Sequence, residues 1–125
     1  MPYKNLVHLH NEHRHWLNEF DLYQDEIKYF QHQLAKRNPH ITEQEDKEES
    51  KYFKEQWIKI LAKIDDFRHK VYAHEARLYQ KLELANRTKN HVITDEEHHI
   101  VKGEMEEFSL QYKSLKIRFQ EFVTK

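Results

Sequence analysis

Apolar residues recur along the first third of the chain at alternating spacings of three and four. This spacing predicts a helix that buries one face. The series ends shortly before Pro39, and a proline disfavours helical geometry at the residue that precedes it. We therefore predict helix 1 over about residues 4–37, with one polar residue, His13, on its buried seam. The seam consists of Leu6, Leu9, His13, Trp16, Phe20, Tyr23, Ile27, Phe30 and Leu34.

Two further seams with the same spacing follow, and each is preceded by a capping signal. Thr42 with Glu45 and Thr94 with Glu97 have the spacing of capping boxes, which start helices. Helix 2 is predicted over about 43–87 and helix 3 over about 95–123. The seam of helix 2 is Phe53, Trp57, Ile60, Ile64, Phe67, Val71, His74, Leu78 and Ala85, widened on one side by Ile58, Leu61, Tyr72, Tyr79 and Leu82. The seam of helix 3 is His98, Val101, Met105, Phe108, Tyr112, Leu115, Phe119 and Phe122.

The short connections between the seams predict the topology. Loops of a few residues join antiparallel neighbours, so the chain is expected to form an all-α, up-down-up three-helix bundle with coiled-coil packing. We expect one domain over residues 1–125.

The unequal helix lengths predict a partner. If both loops are tight, level residues of helices 1 and 2 have numbers that sum to about 80, and those of helices 2 and 3 to about 181. Phe30 and Trp57 would then lie beyond the end of helix 3, as an exposed apolar patch of the kind that marks interfaces. A two-fold homodimer would cover such overhangs.

Composition excludes several classes of protein. One glycine and two prolines are too few turn residues for an all-β or dinucleotide-binding fold. The absence of cysteine rules out disulfides and thiolate chemistry. The 21 lysines and arginines balance 22 acidic residues, which argues against nucleic acid as a partner. The chain has no apolar run of about 20 residues and no secretion signal in its first ten, so we expect a cytoplasmic protein without a membrane partner.

Polar residues are predicted to form one layer inside the bundle. Spacing at 100° per residue brings polar side chains of helix 2 into its apolar arc, opposite the polar start of helix 1. The structural layer expected from this is His13, Arg68, Tyr72, His74, Glu75 and Tyr112, and the candidate metal ligands are His10, Glu12, His13 and Glu75.

Two interpretations of this layer stay open. Imidazoles and carboxylates that point inward from facing helices are how bundles hold metal ions, so a divalent metal is one possible cofactor. A hydrogen-bonded ion-pair layer without cofactor is the other. Arg68 favours the ion-pair layer, because a guanidinium competes for the carboxylates and repels a cation. If His13 and His74 are buried as neutral groups, acid near pH 6 should loosen the bundle.

Two functions are compatible with the sequence. No serine has a nucleophile-elbow context and there is no thiol, so an enzyme without a metal is not expected. The first function is a dimeric interaction or scaffold protein that uses helix 2 and the acidic stretch 43–49 to dock a protein partner. The second is a metal- or small-ligand-binding bundle centred on His10, Glu12, His13, Arg68 and Glu75, among the 11 histidines of the chain.

Overall fold

The chain folds into three long helices. The computed structural model describes residues 6–88 and 96–125, and its side chains over 8–84 and 96–125. The helices are α1 (Leu6–Arg37), α2 (Gln44–Thr88) and α3 (Glu96–Val123), with a short 3-10 turn (Asn38–His40) after α1. The all-α three-helix prediction is confirmed, and the predicted positions 4, 5 and 95 lie outside the described residues.

The start of α2 differs slightly from the capping prediction. The amide of Lys47 donates to the carbonyl of Glu43 at 3.0 Å, the first bond of the helical pattern. The residue whose carbonyl accepts this first bond holds the cap position, so Glu43 rather than Thr42 caps α2. The second predicted cap, Thr94, lies outside the described residues.

Contacts between the helices define their directions. In contacting pairs, the residue numbers of α2 fall as those of α1 rise, so these two helices are antiparallel. The residue numbers of α1 and α3 rise together, so these two helices are parallel. His10 contacts Glu75 between α1 and α2, and Asn38 in the turn after α1 contacts Ser50 of α2. Between α1 and α3 the contacts are Tyr23–Ser109 and Arg37–Val123. The bundle is therefore up-down-up, with every helix beside the other two.

The predicted seams form the core. Every seam residue whose burial is described is buried, except Phe67, which is partly buried. Aromatic rings fill much of the interior, as in the stacked pair Tyr23 and Tyr112, whose ring centroids are 4.1 Å apart. The outer faces carry the charged residues, and no helix in the described part of the chain is apolar enough over a sufficient length to cross a membrane.

The predicted overhang of helices 1 and 2 is wrong. The ring of Phe119 lies 5.1 Å from Phe30 and 5.4 Å from Trp57, so α3 covers this end of the bundle. The error came from assuming a tight second loop, which placed His98 level with about residue 83 of α2. His98 instead contacts His74, and α3 is displaced along α2 by more than two turns from its predicted level.

The predicted widening of the apolar arc of α2 is also partly wrong. Ile58, Tyr72 and Tyr79 are 55%, 57% and 48% exposed. They are spaced by multiples of seven and so share one stripe of the helix, which lies beyond the contact with α1 and α3. The buried arc of α2 is therefore narrower than its sequence of apolar residues suggests.

Candidate metal centre

One layer of the core consists of three histidines, one from each helix. His13 of α1, His74 of α2 and His98 of α3 occupy seam positions that are otherwise mostly apolar, and each is at most 1% exposed. Their ring centroids are 5.1 to 5.3 Å apart. Trp16, one turn along α1, stacks on His98 at 5.2 Å and closes one side of the layer. The periodicity that builds the core thus places three imidazoles where three large apolar side chains would otherwise meet.

The nitrogens of this histidine layer converge. One nitrogen from each ring lies within 4.8 Å of the other two. Nε2 of His74 and Nδ1 of His98 are 3.2 Å apart. Two imidazole nitrogens on one tetrahedral zinc ion, each about 2.0–2.1 Å from it, are about 3.3 Å apart. One edge of the layer therefore already has the spacing of a coordination site, and a nitrogen of His13 lies within 4.8 Å of both atoms of the group.

Several of these nitrogens have no hydrogen-bond partner. Within the described residues, Nδ1 and Nε2 of His13 and Nδ1 of His74 are buried and unpaired. A buried polar atom without a partner costs about 1–3 kcal/mol, so native proteins contain few of them. Two of these atoms, Nδ1 of His13 and Nδ1 of His74, each lie 3.6 Å from a carboxylate oxygen. Nε2 of His13 is therefore the atom of the layer for which the described residues supply no partner.

A carboxylate from the next helix lies beside each imidazole. The distances are 3.6 Å from Glu75 to Nδ1 of His13, 3.6 Å from Glu97 to Nδ1 of His74, and 3.3 Å from Glu12 to Nε2 of His98. The arrangement is cyclic, because α2 supplies the carboxylate for α1, α3 for α2 and α1 for α3. We call Glu12, Glu75 and Glu97 the carboxylate ring.

Each member of the carboxylate ring is also held from outside. His10 hydrogen-bonds to Glu75, Nε of Arg77 donates to Glu97 at 2.8 Å, and Nζ of Lys102 lies 3.4 Å from Glu12. In all three cases this outer group is on the same helix as the imidazole beside the carboxylate, three or four residues away. Each carboxylate thus lies between an outer basic group and the imidazole of one histidine of the layer.

The histidine layer is neutral at physiological pH. Burial is the main cause that lowers the pKa of His13 and of His74, and it lowers the pKa of His98 to about 4, although each ring has a carboxylate beside it. The hydrogen bond from Arg77 lowers the pKa of Glu97, which stays ionised. Neutral imidazoles present lone pairs, which is the form that binds metal ions.

The structure brings together five of the residues that the sequence placed in the polar layer or among its ligands. These are His10, Glu12, His13, His74 and Glu75, which all lie in or next to the histidine layer. Whether they bind a metal stays a prediction, and only His13 of the four predicted ligands is in the inner triad.

The other three predicted members lie elsewhere. Tyr72 is 57% exposed on the outer stripe of α2, so it does not face the core. Tyr112 is buried in a different layer, where its hydroxyl donates to Glu26 at 2.7 Å. Arg68 forms a 2.6 Å ion pair with Asp21 near the surface.

The position of Arg68 bears directly on the two interpretations. Its guanidinium reaches the exposed carboxylates Asp21 and Asp65 instead of the layer. Arg68 therefore does not compete for the carboxylate ring, whereas Arg77 and Lys102 contact the outer side of that ring.

His98 and Glu97 are members of the site that were not predicted from the sequence. The level assumed for helix 3 separated them from His74 by more than two turns. The signal that could have found them is simple: each helix carries a histidine on its apolar seam, at positions 13, 74 and 98. Three polar residues at three seam positions are most easily accommodated in a single layer.

No protein-family model, no curated protein and no solved structure matches the chain.

Proposed function

We propose that this protein binds a divalent transition-metal ion, with zinc the first choice, through one ring nitrogen each of His13, His74 and His98. The observation that carries the proposal is the buried triad of neutral imidazoles whose nitrogens lie within 4.8 Å of one another and are in part unpaired. Imidazole suits zinc, copper, iron and nickel, whereas magnesium and calcium prefer oxygen ligands.

The alternative of a purely structural ion-pair layer has less support. Such a layer needs either protonated histidines or a partner for each buried nitrogen. Burial disfavours protonation of all three rings, and both nitrogens of His13 lack a hydrogen-bond partner within the described residues. A bound cation answers both points, because it accepts lone pairs and is attracted by the carboxylate ring.

The placement of the ligands supports a resident metal that holds the bundle together. Each helix supplies one ligand, so a bound ion would link all three helices. Binding to the folded state alone adds to the free energy of unfolding, about 2.7 kcal/mol when free metal is 100 times the Kd. The small exposure of the rings is consistent with an ion that stays bound.

The interaction or scaffold role and the homodimer stay predictions from the sequence. The overhang at Phe30 and Trp57 that motivated the dimer is covered by Phe119 of the same chain. A mass measurement by light scattering decides the oligomeric state. A cytoplasmic location likewise stays a prediction.

Metal content is the first test. The protein is purified without a histidine tag or chelator and analysed for metals, then stripped and titrated with Zn²⁺ and with Co²⁺, whose visible spectrum reports tetrahedral coordination. We expect one ion per chain in the wild type and none in His74→Leu or His98→Leu. Leucine is similar in size to histidine and suits a seam position, so the helical circular dichroism should persist.

His15→Leu is the matched control, because His15 is a histidine of α1, like His13, but its side chain is exposed and paired with Glu19. It should keep one ion per chain. A wild-type protein without stoichiometric metal in both assays overturns the proposal, and so does full binding by the two triad variants.

A further inference from the structure

We infer that the carboxylate ring decides which nitrogen of each histidine binds the metal: Nε2 for His13 and His74, but Nδ1 for His98. Glu12, Glu75 and Glu97 are then positioning residues rather than ligands. This inference rests on the proposed metal-binding function and adds to it a defined, mixed coordination by the two kinds of ring nitrogen.

The geometry around each ring carries the assignment. A neutral imidazole has one N–H and one lone pair, and an ionised carboxylate only accepts hydrogen bonds. The nitrogen that faces the carboxylate is Nδ1 in His13 and His74, but Nε2 in His98. Protons at these positions satisfy all three carboxylates, at distances of 3.3 to 3.6 Å that a small adjustment turns into hydrogen bonds.

The same assignment leaves a lone pair on Nε2 of His13, Nε2 of His74 and Nδ1 of His98. Nε2 of His74 and Nδ1 of His98 are 3.2 Å apart, so two lone pairs face each other at hydrogen-bond distance. A proton on one of these two nitrogens would relieve the repulsion. A neutral ring carries only one N–H, so the nitrogen of that ring that faces the carboxylate would lose its proton. That ring would then present a lone pair to its carboxylate.

A cation in the centre resolves this conflict. It takes up all three inward lone pairs while every outward N–H keeps its carboxylate. Histidine ligands in metal sites commonly donate their second N–H to a carboxylate, which fixes the ring and raises its basicity. Here the outer groups His10, Arg77 and Lys102 hold those carboxylates in place.

The ring assignment is tested by the tautomers of the zinc-loaded protein. Long-range ¹H–¹⁵N NMR spectra of uniformly labelled protein identify which nitrogen of each histidine carries the proton. We expect Nδ1–H for His13 and His74, and Nε2–H for His98. Zinc on Nε2 in all three rings, or on Nδ1 in all three, overturns the assignment.

Affinity tests the role of the carboxylates. Glu12→Gln, Glu75→Gln and Glu97→Gln keep the size of the side chain and remove its charge, and each is expected to weaken Zn²⁺ binding 10- to 100-fold. Glu104→Gln is the matched control, since Glu104 is a carboxylate on α3 that pairs with Lys70 outside the layer. It should bind as the wild type does.

The outcomes separate the two proposals. If the wild type binds no metal ion in either assay, both the proposed function and this inference fail. If the wild type binds one zinc ion but the three ring variants bind as tightly as Glu104→Gln, the metal site stands and the positioning role is wrong.

Discussion

At the scale of the residue, His13 is the least satisfied member of the core. Both of its nitrogens are buried without a hydrogen-bond partner in the described part of the chain. Replacement by leucine removes Nε2, which has no partner, and Nδ1, which only approaches Glu75 at 3.6 Å, and it keeps an apolar seam filled. His13→Leu is therefore expected to raise the stability of the metal-free protein by about 1–2 kcal/mol. Urea unfolding in a chelator, followed by tryptophan fluorescence, measures this change.

The same variant should lose the stabilisation that zinc gives the wild type. A gain in intrinsic stability together with a loss of metal response is the signature of a side chain kept for binding and not for folding. His15→Leu, on the exposed face, should change stability by no more than about 0.5 kcal/mol. Destabilisation of the metal-free protein by His13→Leu would show that the histidine layer is itself a stabilising feature.

At the scale of the element, the contact between α1 and α3 depends on a second polar group in the core. The hydroxyl of Tyr112 donates to Glu26 at 2.7 Å, and Lys116 contacts the other oxygen of Glu26 at 2.6 Å. Tyr112→Phe removes one charge-assisted hydrogen bond and should cost about 1–2 kcal/mol in urea unfolding. Tyr29→Phe, at a site where the ring is 59% exposed, should be neutral. Equal stability of the two variants would contradict a role for this bond.

The helices were predictable from the sequence, but their relative levels were not. Spacing of three and four is a local property, so the seam from Leu9 to Leu34 identified α1 and its buried face correctly. The level of α3 along α2 depends on the connection before Glu96 and on packing over the whole length, which no local pattern encodes. For this reason the sequence predicts His13 and His74 as members of the layer but not their partner His98.

The failure at Arg68 and Tyr72 has a similar cause. A helical wheel places both near the apolar arc of α2, but the wheel does not say how wide an arc two neighbouring helices cover. Tyr72 lies just beyond it, and Arg68 extends along its edge to Asp21. Long side chains at the edge of a buried arc reach the surface, so their position on the wheel does not determine their burial.

At the scale of the whole molecule, the histidine layer makes stability depend on pH. Burial lowers the folded-state pKa values of His13 and His74, and that of His98 to about 4, from an ordinary 6.5. The unfolded chain therefore binds protons that the folded chain does not. Stability is full well above pH 6.5 and falls as the pH drops toward 4, with a contribution from His98 that approaches about 1.4 kcal/mol per pH unit between these values. His13 and His74 act in the same direction.

The charged groups around the layer have opposing effects on the pKa values of the three histidines, and these pKa values stay lowered. Glu75, Glu97 and Glu12 each favour protonation of the adjacent ring, whereas Arg77 and the neighbouring histidines oppose it, and burial is the largest cause for all three rings. The pKa of Glu97 lies below its ordinary 4.5, so its own contribution is lost only at lower pH. A window from pH 7.5 to 5 therefore isolates the histidines from this carboxylate.

Urea unfolding of the metal-free protein across this window tests the pH dependence of the whole bundle. The wild type is expected to lose stability steadily below about pH 6.5, because protonated imidazoles cannot be accommodated in the core. A triple variant with leucine at positions 13, 74 and 98 keeps the remaining histidines and should show a clearly shallower slope. Stability that stays constant as the pH falls would contradict burial of neutral imidazoles. Stability that rises as the pH falls would mean that the carboxylate ring holds the three rings as cations, which have no lone pairs for a metal.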